Sequence, residues 1–412
     1  MVNFVGKLCL APMVRSGEIA TRLLALKHGA DLVWTPEYVD KKIIQTTRVQ
    51  NSAINTVDYV VEQTHQAKGG KESTTSQKVV FRTHPPSESG KLIFQLGTSD
   101  PELAVLAASK VIQDVDGIDL NCGCPKPFST HSGMGAALLY TPDLLCSILS
   151  ALVEKVGVPN KKTISCKIRL LDDYDATYNL ISRICDTGIA NLTIHCRTRL
   201  MRNREDPIWK YLTRLIPYVQ SRGISVVLNG NLQSRLDFEN LQKVFNDQVG
   251  GMIAECAEAN ASVFGKPEPD QKDTKLPLIA KDVIAQYYSI AKIYNYDALA
   301  NTKFMILNKT PGKSNYYKRF SQLKSLEDFD NVMEDLSADS EDVLMNKIYT
   351  KDLQKQKLLT PDEYVDFMEK RYEMMKKLVG DKEEPKAADS TKRKEAPVFS
   401  DKAKQQKTVI ST

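Results

Sequence analysis

No two cysteines in this 412-residue chain are spaced as CxxC, and the eight present, at positions 9, 122, 124, 146, 166, 185, 196 and 256, lack the spacing of a disulfide framework. The pattern predicts reduced thiols in an intracellular protein. Nor does any apolar run approach the ~20 residues that span a bilayer. Lys7 interrupts the apolar start and no cleavage pattern follows, so neither a membrane span nor a signal peptide is expected. Internal repeats are absent. No GxGxxG follows the first strand-like run, which disfavours a doubly wound dinucleotide sheet. The charge imbalance is slight: a net charge of +5 is compatible with a polyanionic partner without requiring one.

What is present is an alternation. Short β-rich runs at 7–13, 31–38, 92–98, 117–123, 163–170, 191–198, 225–232 and 250–257 are separated by helical patterns at 17–28, 100–114, 141–156, 174–187 and 235–245. Eight such units over about 260 residues predict an α/β fold, a (β/α)8 TIM barrel. Thr141-Pro142-Asp143 and Ser99-Asp100-Pro101-Glu102 read as helix starts. Between Asp40 and Lys91 the rhythm breaks, and VVFRTH between polar shoulders predicts an excursion with one extra strand and disordered flanks. After residue 278 the β signal vanishes. A helical stretch over 281–307 and a helix opening at Thr360-Pro361 predict a smaller all-α C-terminal domain. The expected division is 1–278 barrel, 279–380 helical domain and 381–412 a disordered charged tail, with eight Lys/Arg, six Asp/Glu and few apolar residues.

In such barrels the chemistry sits at the C-terminal ends of the strands. Polar and special residues fall there on strand after strand: Pro12 and Met13 with Arg15 just beyond, Glu37, Gln95, Asn121 and Cys124, Lys167 and Arg169, His195 and Arg197, Asn229 and Asn231, then Glu255. Any one of them alone reads equally well as a solvated loop residue, and Cys124 as a buried structural thiol. Small residues and backbone N–H groups after the seventh and eighth strands, at Asn229-Gly230-Asn231 and Ala254-Glu255, suit a phosphate-bearing cofactor. An acid at 255 runs against that, unless its carboxylate points away. Cysteines and a histidine also gather near strand ends, but side chains alternate faces along a strand, so Cys166 opposes Lys167 and Cys196 opposes His195. No zinc site is expected.

These residues resemble the flavin-dependent tRNA-dihydrouridine synthases, most closely the eukaryotic branch acting at position 20 of the D loop. The likeness runs from about Lys7 to Phe264. It is densest in KLCLAPMVRSGEIATRLLAL, FQLGTSD, GIDLNCGCPKPFSTHSGMGAALL and CKIRL, with IHCRTR, NGN and NTKF (301–304) as weaker echoes. The resemblance implies a barrel that binds FMN, with NADPH or NADH as reductant and tRNA as substrate. It makes Cys124 the acid that protonates C5 of a uracil. Gln95, Asn121, Lys167 and His195 would face the flavin and the base, with Pro12 and Met13 supporting the ring. Asn229, Gly230, Asn231, Ala254 and Glu255 would hold the ribityl phosphate.

Three positions depart from the family pattern, Cys196, Asn231 and Glu255. With no double-stranded-RNA-binding domain expected, RNA capture falls to the barrel rim, including Arg169 and Arg197, and to the helical domain. There KTPGKSNYYKRFSQLK (309–324) offers Lys313, Lys318 and Arg319 for phosphates and Tyr316, Tyr317 and Phe320 for stacking. A solvated helix with core aromatics is the competing reading of that stretch. The segment 126–135 is expected to be a lid over the bound base. No obligate protein partner is evident, a monomer is expected, and the location stays open between cytoplasm and nucleus. A flavin-dependent reductase of a free pyrimidine and a tRNA-binding protein that has lost catalysis remain as alternatives.

Overall fold

A computed structural model describes residues 1–66, 73–266, 276–295, 299–340, 342–351 and 356–380. Eight parallel strands, β1 (Leu8–Leu10), β2 (Leu32–Trp34), β3 (Leu92–Gly97), β4 (Gly117–Cys122), β5 (Thr163–Leu170), β6 (Asn191–Thr198), β7 (Ser225–Asn229) and β8 (Gly250–Ile253), follow one another around a closed sheet. β1 pairs with β8, and β2 pairs with β3 to complete the circuit. This is the expected TIM barrel. Its outer helices are α1 (Ile19–Lys27), α2 (Pro101–Val111), α3 (Pro142–Leu152), α4 (Tyr174–Cys185), α5 (Leu212–Ser221) and α6 (Arg235–Val244). A five-residue helix, Asp40–Ile44, lies between β2 and β3, and another, Glu255–Ala259, follows β8.

The strands read as apolar outside and increasingly polar inside. Ile118, Leu120 and Cys122 of β4, Ile164, Cys166 and Ile168 of β5, and Leu192, Ile194 and Cys196 of β6 all pack outward in one core with α3 and α4. The alternating positions point inward. At the lower end of the barrel these are apolar, with Phe4, Cys9, Leu32, Trp34, Ile93, Val227 and Met252 in a separate cluster. Nearer the C-terminal end they are Gln95, Asp119, Ser165, Lys167, His195 and Asn229. Period-two alternation thus turns one sequence into an apolar wall and a polar interior.

Local signals explain most helix starts. Asp100 accepts from the main-chain N–H of Glu102 and Leu103 at 2.8 and 2.9 Å with Pro101 at the first position, and Asp173 accepts from Ala176 N at 2.7 Å. Thr141 is a different case: it precedes α3 but its side chain makes no cap, its hydroxyl turning back to Leu138 O. α5 had no sequence signal because Pro217 lies inside it, yet Leu212, Leu215, Ile216 and Val219 bury a face that holds the helix.

The excursion between β2 and β3 is larger than one strand. Thr47–Asn51, Thr56–Gln66 and Ser73–Thr83 form a three-stranded antiparallel sheet. It is anchored by Phe81, which packs against Tyr38 and Phe94 of the barrel and has Tyr59 stacked on it as well. The following shoulder is helical at Pro85–Glu88, and Glu88 is buried in a 2.6 Å ion pair with Arg22 of α1. Part of the polar shoulder before VVFRTH, 67–72, lies outside the described residues.

Beyond the barrel come α7 (Ala280–Tyr294), α8 (Ala300–Lys309), α9 (Asn315–Gln322), α10 (Leu326–Ala338) and α11 (Pro361–Val379). The single helical stretch over 281–307 is therefore two helices. β structure also returns, as an antiparallel hairpin of Ile348–Lys351 with Gln356–Leu359. α11 begins at the foreseen Thr360, where a capping box with Glu363 closes its first turn. α7 to α10 share a core with Ala20 and Leu24 of α1 and with Ala259 and Ala261 after β8. The expected tail, 381–412, lies outside the described residues.

Candidate active site

The site is assembled at the C-terminal mouth of the barrel. Near the end of β4 stands Asn121, whose Oδ1 accepts from the main-chain N–H of Gly123 at 3.0 Å and of Cys124 at 3.1 Å. This side-chain bracket turns the chain out of the strand and sets the Cys124 thiol at the rim. Burial pushes that thiol above its ordinary value, and the neighbouring Glu37 carboxyl adds to the effect against the Lys126 charge. It is therefore a protonated thiol at neutral pH, as an acid requires. Gly135, at φ 60°, permits the close return of the chain: a Cβ there would lie 2.7 Å from Cys124 O and 2.4 Å from Ser129 Oγ.

Lys167 pairs in register with Asn121 on one side and Thr193 on the other. Burial, reinforced by Arg169, lowers it to about 8, so the ammonium still predominates at neutral pH. No described side chain makes a hydrogen bond or ion pair with it. Below it lies a residue the sequence reading passed over, Asp119, fully buried two positions before Asn121. It accepts from Gln95 Nε2 at 2.8 Å and Ser165 Oγ at 2.7 Å. Burial raises its carboxyl, and Lys167 acts in the opposite sense. The period of β4 would have revealed it, since Asp119 and Asn121 must share the inner face.

His195 projects into the same mouth. Arg197 Nη1 lies 3.2 Å from its Nε2, and a guanidinium can only donate, so Nε2 is the acceptor and the proton sits on Nδ1. Burial and then the charges of Lys167, Arg169 and Arg197 hold it well below the usual imidazole value. It is a neutral ring with one N–H to offer.

Arg169 and Arg197 are more deeply engaged than a rim cation would be. Arg169 donates to Gly123 O and Thr198 O, both at 2.9 Å, and Arg197 to Glu205 O at 2.7 Å and Asn203 O at 3.0 Å. Both are buried and tie down the loops that frame the mouth. Pro12 and Met13 follow β1, with Met13 packed on both barrel cores and its carbonyl bonded to Gly17 N at 3.0 Å. That turn is gripped from the helical region. Asn301 donates to Arg15 O at 3.0 Å and to Glu18 at 2.9 Å, and the Phe304 ring lies 4.0 Å from the Arg15 guanidinium carbon. The NTKF stretch thus docks on the first strand's loop.

At the opposite side of the mouth, Asn229 Nδ2 donates to Met252 O at 3.0 Å. Gly230 has φ 143° and Asn231 φ 61°, and Asn231 Oδ1 is buried without a partner among the described residues. Ala254 precedes the short helix, and Glu255 at its start is bonded by Asn203 Nδ2, which draws the carboxylate toward the 199–206 loop. A further residue escaped the sequence: Arg371 of α11 donates to Asn231 O and pairs with Asp237 at 2.8 Å. Nothing in a charged helical stretch 140 residues later signals that contact.

Lys313 and Lys318 are exposed on or beside α9, as expected. The aromatics there belong largely to the core: Tyr316 and Phe320 are buried, and Phe320 stacks on Phe329. Only Tyr317 is exposed enough to stack on a base. Arg319 pairs with Asp335, and Lys309 is fully buried with its Nζ on Glu258 O at 2.7 Å. The 126–135 segment is a fastened turn: Pro127–Thr130 is helical, Ser129 is buried, and Ser99 Oγ donates to Ser132 O at 2.8 Å.

The family model described as dihydrouridine synthase (Dus) matches residues 31–354. The chain belongs to the dihydrouridine synthase family. It is 49% identical over 341 residues to the tRNA-dihydrouridine(20) synthase [NAD(P)+] of Saccharomyces cerevisiae, covering 82% of this chain and 86% of that one. It is 48% identical over 268 residues to the protein of the same name from Schizosaccharomyces pombe, covering 64% of this chain and 53% of that longer protein. Identity falls to 27% over 253 residues with the tRNA-dihydrouridine(20a/20b) synthase [NAD(P)+] of Saccharomyces cerevisiae, covering 61% of this chain and 60% of that one. Likeness therefore drops sharply between relatives named for position 20 and a relative named for its neighbours.

Proposed function

We infer that this protein reduces a uridine of tRNA to 5,6-dihydrouridine, at position 20 of the D loop, using NADPH or NADH. The observation that carries this reading is the protonated Cys124 thiol set beside an uncommitted Lys167 ammonium on the neighbouring strand, with a neutral His195 on the strand beyond. The likeness to relatives named for position 20 supports the choice of base.

A flavin, FMN, fits the residues present. Among the described residues, the mouth offers a cation without a partner, a single imidazole N–H, and an orphaned amide oxygen on Asn231 beside a positive-φ glycine. Gln95, Asn121, Lys167 and His195, with Pro12 and Met13, would hold the ring, and the main-chain N–H groups of Asn229, Gly230, Asn231, Ala254 and Glu255 the ribityl phosphate, with the Glu255 carboxylate turned toward Asn203. When bound and reduced, FMN supplies the hydride that goes to C6 of the uracil.

The chain's own residues do the rest. Cys124 gives its proton to C5, and burial keeps that proton in place until a substrate is present. Lys167 offsets negative charge developing at its end of the mouth, where low dielectric strengthens the interaction. His195 supplies one directed N–H. The base must leave its stack to enter, which an unpaired D-loop uridine does at lower cost than a paired one. The helical region from 279 to 380 acts as the tRNA-binding domain, with Lys313 and Lys318 toward phosphates, Arg319 held by Asp335, and Arg169 and Arg197 shaping the rim. The protein works as a monomer.

The test is to incubate the purified protein, FMN and NADPH with unmodified tRNA and map dihydrouridine by position, alongside Cys124→Ala. Product at position 20, abolished in the variant while the bound flavin remains reducible, is the expected result. Turnover of free uridine as fast as tRNA would instead mean a reductase of a free pyrimidine. A colourless protein that binds tRNA and makes no product would mean catalysis has been lost.

A further inference from the structure

Glu37, just after β2, lies against the reacting thiol. The space for its carboxyl exists because position 97 carries no side chain: a Cβ on Gly97 would lie 2.4 Å from Glu37 Oε1. Gly135 opens the other side, where a Cβ would meet Cys124 Cβ at 3.1 Å and Ser129 Oγ at 2.4 Å. Ser129 Oγ donates to Glu37 Oε1 at 3.2 Å, and the Cys124 and Asn121 side chains lie beside the same carboxyl. The second oxygen, Oε2, is buried with no hydrogen-bond partner among the described residues. One oxygen is thus fixed by the fastened 126–135 turn, and the other is left to carry a proton.

We propose that Glu37 returns the proton to the Cys124 thiolate after each reduction, a role that rests on Cys124 being the acid of the reaction inferred above. The S–H bond breaks as C5–H forms, leaving a thiolate. The carboxyl O–H of Glu37 then breaks as S–H re-forms, and the carboxylate takes its proton back from solvent. No electrons move in this step. Burial raises both groups, the carboxyl toward its protonated form and the thiol toward a strong hold on the proton it receives. The other groups facing the pair are Lys126 at the solvent edge, Lys167 and Arg169 on the barrel side of Cys124, and Cys122 behind Glu37. Those cations would favour a stranded thiolate, so a dedicated proton donor is what restores the acid.

The test uses the full chain with Glu37→Gln, which keeps the size and the Ser129 contact but has no proton to give. Alkylation of Cys124 by iodoacetamide is followed against pH without tRNA, reading the Cys124 peptide by mass spectrometry. In its ionised form, between proton deliveries, the neighbouring carboxyl raises the thiol, so its loss lowers the thiol's titration and alkylation at pH 8 is faster in the variant than in the parent. In rapid mixing of pre-reduced protein with tRNA, the first turnover keeps the parent rate while later turnovers slow at least tenfold. Should Glu37→Gln not fold, Glu37→Ala with added formate carries the same test, with later turnovers restored by the added acid. An alkylation profile identical to the parent's, or equal slowing of first and later turnovers, overturns the role of Glu37 alone. A parent protein that makes no dihydrouridine overturns the reaction and the proton return with it.

Discussion

Asn121 Oδ1 holds the main-chain N–H of Cys124 at 3.1 Å, so a residue within the fourth strand also aims the thiol beyond its end. Asn121→Ala leaves the N–H groups of Gly123 and Cys124 without their acceptor, and the turn relaxes. A displacement of the acid by about 1 Å lowers kcat on the order of 10²-fold. Single-turnover reduction of tRNA measures it, with flavin content checked by absorbance. An unchanged kcat would mean that Arg169 and Gly135 suffice to place Cys124.

The charge on Lys167 sets an upper pH limit. Burial lowers it to about 8, below the ordinary lysine value, so the ammonium prevails below pH 8 and is lost as pH rises through it. The Cys124 thiol is raised and keeps its proton above that point. The rate of uridine reduction therefore falls through about pH 8. Lys167→Arg moves this limb to higher pH, because a guanidinium does not titrate there. A limb that stays in place in the arginine variant would transfer the titration to another group.

Arg371 and Asp237 form a buried pair whose guanidinium also reaches the carbonyl of Asn231. Arg371→Met leaves Asp237 charged and buried, a loss of about 3–5 kcal/mol for a pair broken on one side. Urea unfolding should show that loss, and Asp237→Asn in the same chain should recover most of it. Because the pair braces the 229–231 turn, flavin release followed by fluorescence should quicken in the single variant and not in the double.

Surface charge on the helical region separates two kinds of cation. Lys313 and Lys318 are exposed, whereas Arg319 is paired with Asp335. Reversing both lysines to Glu weakens tRNA binding and lowers the slope of log K against log salt by about 1 to 2. Arg319→Glu alone adds little to that slope. A filter-binding titration over salt concentration that shows no change for the lysine pair would move the RNA contact elsewhere on the chain.

The sequence by itself determined the eight strands, their order around the barrel, and the rim positions of Cys124, Asn121, Lys167 and His195. These depend on period-two alternation and on Gly, Pro and Asn at strand ends, which are local properties of a few neighbouring residues. The GCPK and CKIR stretches also carried the family. Tertiary structure decided what local pattern cannot encode. The period of β4 puts Asp119 on the inner face, but its partners Gln95 and Ser165 come from the neighbouring strands, and Glu37 beside Cys124 needed two loops to meet over glycines 97 and 135. Arg371 reaches Asn231 only because α11 packs back on α6. Tyr316 and Phe320 looked like stacking aromatics until α10 covered them, because burial is fixed by what a helix face meets, and one helix read alone does not contain its partner.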